Sequence, residues 1–199
     1  MEQVTPIEVV GKRVRELRQR RGMSAQNLAD RCAEAGFPEL KRQVITNLEN
    51  GRRESISLTE LLGLAYALDA PPALLFIPLD GRTLLRISPE IEMGDLQALM
   101  WVSGEREPED RERRQRWREV AAPVNLHRDL WRLFEVIVQS EWLEDQSTVN
   151  GYLRSMAKVL DAMIETGITP PAVPADWVEK MRANGWLEHP GEVRTNGQG

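Results

Sequence analysis

The sequence predicts an all-α protein of two domains. Apolar residues recur at steps of three and four along most of the chain, while alternating β-branched runs are absent. Helix caps and stops punctuate that pattern at regular intervals. The composition also changes part-way. Residues 11–53 hold eleven Lys and Arg against five Asp and Glu, a net +6, whereas residues 54–199 carry −9 and all six tryptophans. With 199 residues, 41% of them hydrophobic, the chain can bury a core in one domain or two small ones. The expected division is a first domain over 1–78, a linker over 79–94, an all-helical second domain over 95–189 and a disordered tail over 190–199.

The first domain reads as five short helices. Thr5-Pro6-Ile7-Glu8 opens the first with a capping box and Pro at the first helical position, and Gly22 stops it. Ser24 caps the second, which buries Leu28, Ala29 and Cys32 and ends at Gly36-Phe37-Pro38. The third runs from about Lys41 to Glu49 with Ile45 and Leu48 inward, and Asn50-Gly51 terminates it. A second capping box, Ser57-Leu58-Thr59-Glu60, starts the fourth, with Leu58, Leu61, Leu62, Ala65 and Leu68. Pro71-Pro72 introduce a fifth that carries Leu74 and Leu75. The net charge of −5 argues mildly against a nucleic-acid partner, but a basic head on an acidic body points to polyanion binding by the head.

A Ser-capped helix, a glycine turn and a short polar-faced helix form a helix-turn-helix pattern. Met23-Ser24-Ala25-Gln26-Asn27-Leu28-Ala29, followed by Val44-Ile45-Thr46-Asn47-Leu48-Glu49-Asn50-Gly51-Arg52-Arg53, resembles the Cro/phage-repressor (XRE, lambda-repressor-like) family of DNA-binding regulators. Leu61 to Asp69 and Pro71 to Leu75 match that family's fourth and fifth helices, so the resemblance covers roughly residues 7–78. It implies a five-helix domain whose third helix enters the major groove of an operator.

Arg42, Gln43, Thr46 and Asn47 then face outward as base readers. Arg suits guanine acceptors, and Gln or Asn suits adenine. Phosphate contacts are expected from Ser24 and Gln26 at a helix start, from Lys41 before the third helix, and from Asn50, Arg52 and Arg53 after it. Two features depart from the family. Ala25 stands where Gln usually follows the capping Ser, and Gly36 to Lys41 make a turn longer than usual by about three residues. The lengthened form is similar to regulators of actinobacteria and their mobile elements.

In the second domain, residues 95–103 read as a short helix, and 104–118 as a solvated helix with five acidic and six basic residues. Leu126 to Trp142 is apolar on more than one face, and Val149, Leu153, Met156, Leu160 and Met163 form the seam of the next helix. The pair is expected to make either a monomer core or a dimer interface built from Leu126, Leu130, Trp131, Phe134, Val138, Leu153, Met156 and Leu160. Dimerisation is favoured because one helix-turn-helix reads few base pairs and the class binds pseudo-palindromic half-sites. Pro170 to Pro174 reads as a stiff linker, followed by a short helix near 176–184.

The lone Cys32 excludes an internal disulfide, and His127 and His189 belong to no metal-spaced set. There is no Walker A, G-x-S-x-G or G-x-G-x-x-G pattern, so no enzyme, metal or cofactor is expected. No apolar run reaches membrane-spanning length, and no signal peptide is evident. The reading is a cytoplasmic, nucleoid-associated dimeric repressor that binds double-stranded operator DNA, with no membrane partner. The alternative is a protein-interaction regulator, an antitoxin or anti-repressor partner, that keeps the helix-turn-helix as scaffold and binds protein through its acidic body. A small-molecule effector pocket among Trp101, Trp117, Trp131 and Trp142 is a third possibility.

Overall fold

The computed structural model describes residues 2–142 and 146–196. The chain forms two compact units, 1–106 and 107–199. Five helices open the first: α1 (Pro6–Arg20), α2 (Ala25–Glu34), α3 (Arg42–Glu49), α4 (Leu58–Ala67) and α5 (Pro72–Phe76). The capping boxes at Thr5 and Ser57 form as expected, and Ser24 makes a third with Asn27. Val10, Val14, Leu28, Cys32, Leu40, Ile45, Leu48, Leu64, Leu68 and Leu75 build one core. On α4 the buried positions are Gly63, Leu64, Ala65 and Ala67, whereas Leu58 and Leu62 face solvent with Tyr66.

The unit does not stop at residue 78, and it is not all-α. Segment 79–94, expected as a linker, forms strands β2 (Leu84–Ser88) and β3 (Ile91–Gly94), which pair antiparallel. Strand β1 (Gln3–Val4) adds to β2 in parallel, giving the order β1-β2-β3. Asp80 launches the hairpin. Its carboxylate accepts the Thr83 hydroxyl and the backbone N–H groups of Thr83 and Arg82, which hold its pKa down at about 2. Helix α6 (Asp95–Val102) packs on this sheet, so residues 95–106 belong to the first unit rather than the second. A second small core of Val9, Ile77, Leu85 and Ala98 results. Helix α1 serves both cores, with Val10 and Val14 on one side and Val9 on the other.

The second unit contains α7 (Arg111–Trp142), α8 (Gln146–Glu165) and α9 (Ala175–Ala183). Helix α7 has 32 residues, a length of about 48 Å at 1.5 Å per residue. Pro123 lies inside it, and the His127 ring bonds the Pro123 carbonyl through Nδ1 at 2.6 Å. Leu130, Ile137, Val149, Leu153, Met156, Leu160, Trp177, Val178 and Met181 form the core. The proline segment 170–174 is part of this packing rather than a free linker. Val173 is buried and bridges to Thr195, and Val193 is buried too. Residues 190–196 are therefore docked, not frayed, whereas 197–199 lie outside the described residues. The buried Asp161 carboxylate accepts the backbone N–H groups of Glu188 and His189, each at 3.0 Å, and fastens this last stretch to α8.

Candidate nucleic-acid interface

Helix α3 buries Ile45 and Leu48 against the core and turns Arg42 and Gln43 to solvent, with Thr46 and Asn47 half-buried beside them. The Gln43 amide donates to Asn47 Oδ1 at 3.1 Å, which aligns the two amides along one face. The Thr46 hydroxyl donates back to the Arg42 carbonyl at 2.9 Å. Its hydrogen is spent there, and its methyl and lone pairs are what it offers.

Two devices hold α3 in place. Gly11 of α1 lies against the α3 backbone, where an added Cβ would sit 2.4 Å from the Leu48 carbonyl oxygen. Beside it, Arg18 donates through Nε and Nη2 to both oxygens of the buried Glu49 carboxylate at 2.7 Å each, and through Nη1 to the Met23 carbonyl. A carboxylate at a helix C-terminus opposes the helix dipole, and the two-pronged guanidinium offsets this. The pairing raises the Arg18 pKa above its ordinary value. The lengthened turn before α3 is anchored as well. Leu40 is buried, and Phe37 packs so closely on Gly63 of α4 that a Cβ there would lie 2.7 Å from its ring.

The structure sorts the eleven basic residues of 11–53 into two sets. Arg13, Arg15, Arg18, Arg21, Arg31 and Arg53 are engaged by acidic side chains. Among the described residues Lys12, Arg20, Lys41, Arg42 and Arg52 make no ion pair, and the last three flank α3, two at its N-terminus and one just past its end. The helix N-terminus adds its own positive partial charge there.

The expected phosphate residues therefore divide. Lys41 and Arg52 are exposed and unpaired. Arg53 holds both oxygens of Glu60, at 2.8 and 3.1 Å, so its charge is compensated within the fold. That bond, joined by Ser57, lowers the Glu60 pKa to about 2. Asn50 accepts from Arg15 through Oδ1, and the Gln26 amide bonds Asp30 at 2.8 Å. Ser24 is occupied in its capping box with Asn27. Cys32 is buried, which pushes its thiol up to about 11.

Residues 9–75 match the model of a helix-turn-helix domain. The first unit carries a helix-turn-helix. No curated protein and no solved structure matches the chain. The match spans α1 through α5 almost completely and ends before the sheet, whose residues the family model does not cover.

In the second unit the eight residues expected to form either a core or an interface divide by burial. Leu130, Leu153, Met156 and Leu160 are buried in the unit's own core, and Leu126 and Phe134 pack against it half-buried. The four buried side chains are committed to that core, while the half-buried Phe134 also lines an open groove beside Trp131. Trp131 and Val138 alone of the eight are exposed. Of the tryptophans weighed as a pocket, Trp131 and Trp142 stand exposed on α7 about three turns apart and do not share one site, and Trp101 lies on α6 of the first unit. Sequence spacing also gave no sign that Glu165, Glu188 and His189 converge, with their ligand atoms within 4.8 Å of one another. No helix among the described residues is long and apolar enough to cross a membrane.

Proposed function

We propose that the protein is a sequence-specific DNA-binding transcriptional regulator of the Cro/phage-repressor kind, a binding protein and not an enzyme, which acts as a dimeric repressor on a pseudo-palindromic operator. The observation that carries this is the placement of unpaired cations. Most arginines of the basic head are tied into the fold, yet Lys41, Arg42 and Arg52 are left bare at the two ends of the one helix whose outward face is Arg, Gln, Thr and Asn. Cations at the helix ends suit phosphates, and the amides and guanidinium between them suit base edges. Helix α3 lies in the major groove with Arg42 and Gln43 deepest and Asn47 beside them. Lys41 and Arg52 grip the backbone on either side. Occupying an operator that overlaps a promoter then blocks transcription.

Selection of bound duplexes from a random pool, followed by titration of the enriched sequence, tests this. The parent protein should enrich one motif. Arg42→Ala or Gln43→Ala should lose about 1–3 kcal/mol on that motif and relax the base preference at one position each. A parent that enriches nothing, or variants that read every sequence as the parent does, would remove α3 as the reading element.

A further inference from the structure

Helix α7 carries a second apolar stripe that its own unit leaves uncovered. Its core face, Leu130 and Ile137 with the half-buried Leu126 and Leu133, is turned inward. At 3.6 residues per turn, Val120, Val124, Trp131, Val138 and Trp142 all fall in a sector about 40° wide, roughly 130° round from that face. Every residue of 120–142 that falls in this sector is apolar. All five are exposed, at 80%, 55%, 60%, 46% and 81%.

The spacing of the stripe has a symmetry of its own. The steps are four, seven, seven and four, so it reads the same from either end with Trp131 at the centre. We infer that α7 pairs antiparallel with α7 of a second copy of this chain, across a two-fold axis at Trp131. This rests on the dimer of the proposed function and supplies its surface. In such a contact residue i meets j and j meets i. Val120 then faces Trp142, Val124 faces Val138, and Trp131 faces its own copy, which sets large against small at both ends. His127 and Glu135, four residues either side of the centre, come opposite one another at the rim. Beside the axis a groove of about 450 Å³, lined by His127, Trp131, Phe134, Met156 and Val173, gives the second indole a seat. Trp131 is held for this by stacking on Phe134, with ring centroids 5.8 Å apart.

Charge and area select the occupant and the direction. Residues 111–118 hold five arginines against one glutamate, whereas 135–142 hold Glu135 and Glu141 and no basic residue. With the axis at Trp131 the partner's Glu141 comes opposite Ala121, with Arg118 within one turn of it and residues 111–117 running past the partner's α7, whereas parallel pairing would set Glu135 and Glu141 against their own copies. An aromatic side chain presents 150–250 Å², so the two indoles and three valines expose about 600 Å² per copy. Complete coverage of the stripe on two copies would bury about 1,200 Å², the lower end of the range for a stable interface.

Analytical ultracentrifugation without DNA tests the pairing, with circular dichroism as a check on folding. The parent should sediment as a dimer at micromolar concentration, and Trp131→Glu should halve the sedimenting mass with its helix signal unchanged. Under mild oxidation Trp131→Cys alone should form a disulfide-linked dimer. Val124→Cys and Val138→Cys should cross-link only when mixed, and the parent, with Cys32 buried, not at all. A monomeric parent, a dimer that survives Trp131→Glu, or cross-linking of Val124→Cys with itself would overturn the inference. Duplex titration is read separately. Dimerisation through α7 in a chain that ignores DNA would overturn the functional reading alone, and DNA binding by a monomer would overturn this one.

Discussion

Replacing the glycine at position 11 with alanine tests how closely α1 and α3 approach. Gly11 lies in a helix, where the Gly→Ala change ordinarily stabilises by about 0.8–1 kcal/mol. Here the new methyl would meet the Leu48 carbonyl oxygen at 2.4 Å, and that oxygen belongs to backbone that accepts the Gly51 N–H at 3.1 Å. Ordinary contact needs about 1 Å more, so either helix must shift, and overpacking of this kind costs about 1–3 kcal/mol. The steric cost exceeds the propensity gain. The net expectation is a loss of about 1 kcal/mol or somewhat more, or about 4–10 °C in the melting of a unit this size. Duplex affinity should fall in parallel, because α3 is what moves. Gly151 supplies the matched control: it is exposed in α8, and an added Cβ would meet nothing within 4 Å. Gly151→Ala should stabilise the second unit by about 0.5–1 kcal/mol. Thermal unfolding followed at 222 nm reads both. If Gly11→Ala melts at or above the parent, the close approach of α1 to α3 is refuted.

Four further outcomes follow from the same geometry. Arg18→Ala leaves the Glu49 carboxylate buried with only Arg15 at 3.7 Å, and urea titration should show a loss of about 3 kcal/mol, the cost of breaking a buried pair. Glu60 has a folded pKa of about 2 against an ordinary 4.5, so its stabilisation is complete above pH 4.5 and disappears as pH falls toward 2. The gap in urea midpoint between the parent and Glu60→Gln should close over that interval, and a constant gap would contradict the assignment. The Cys32 thiol should resist a disulfide reagent at neutral pH until denaturant is added, and fast labelling of native protein would show that the α2 core is open. Arg52→Ala should weaken binding to all duplexes alike and reduce the salt slope by about one, whereas Arg53→Ala, its charge already matched by Glu60, should change the slope less and stability more.

Much of the helix-turn-helix was legible because its signals are local. Capping Ser and Thr residues, stop glycines and a three-to-four spacing each specify structure within one turn of the chain, and α1 to α5 begin within a residue or two of the expected positions. The sheet was not legible. Leu84 to Ser88 buries Leu85 alone and exposes Ile87, so no alternation marks it as a strand. Its partner β1 is two residues long and 80 positions away. The extent of the first unit was hidden with it, and residues 95–106, Trp101 among them, fall in that unit. Outward orientation of Arg42 and Gln43 followed from placing Ile45 and Leu48 inward. The fate of each arginine did not, because an ion pair such as Arg18 with Glu49 depends on which helices meet. The apolar breadth of α7 was visible, but spacing alone could not separate the seam that α8 covers from the stripe that it leaves bare.

The double duty of α1 has a practical corollary for anyone wishing to excise the DNA-reading portion. Cutting after residue 78 would strip away β2 and α6 and leave Val9 and Ile77 facing water, while β1 would lose the strand it hydrogen-bonds. The smallest autonomous fragment should therefore end near 106. Heat should melt its two cores in a single step, because neither can come apart without loosening the rod they share.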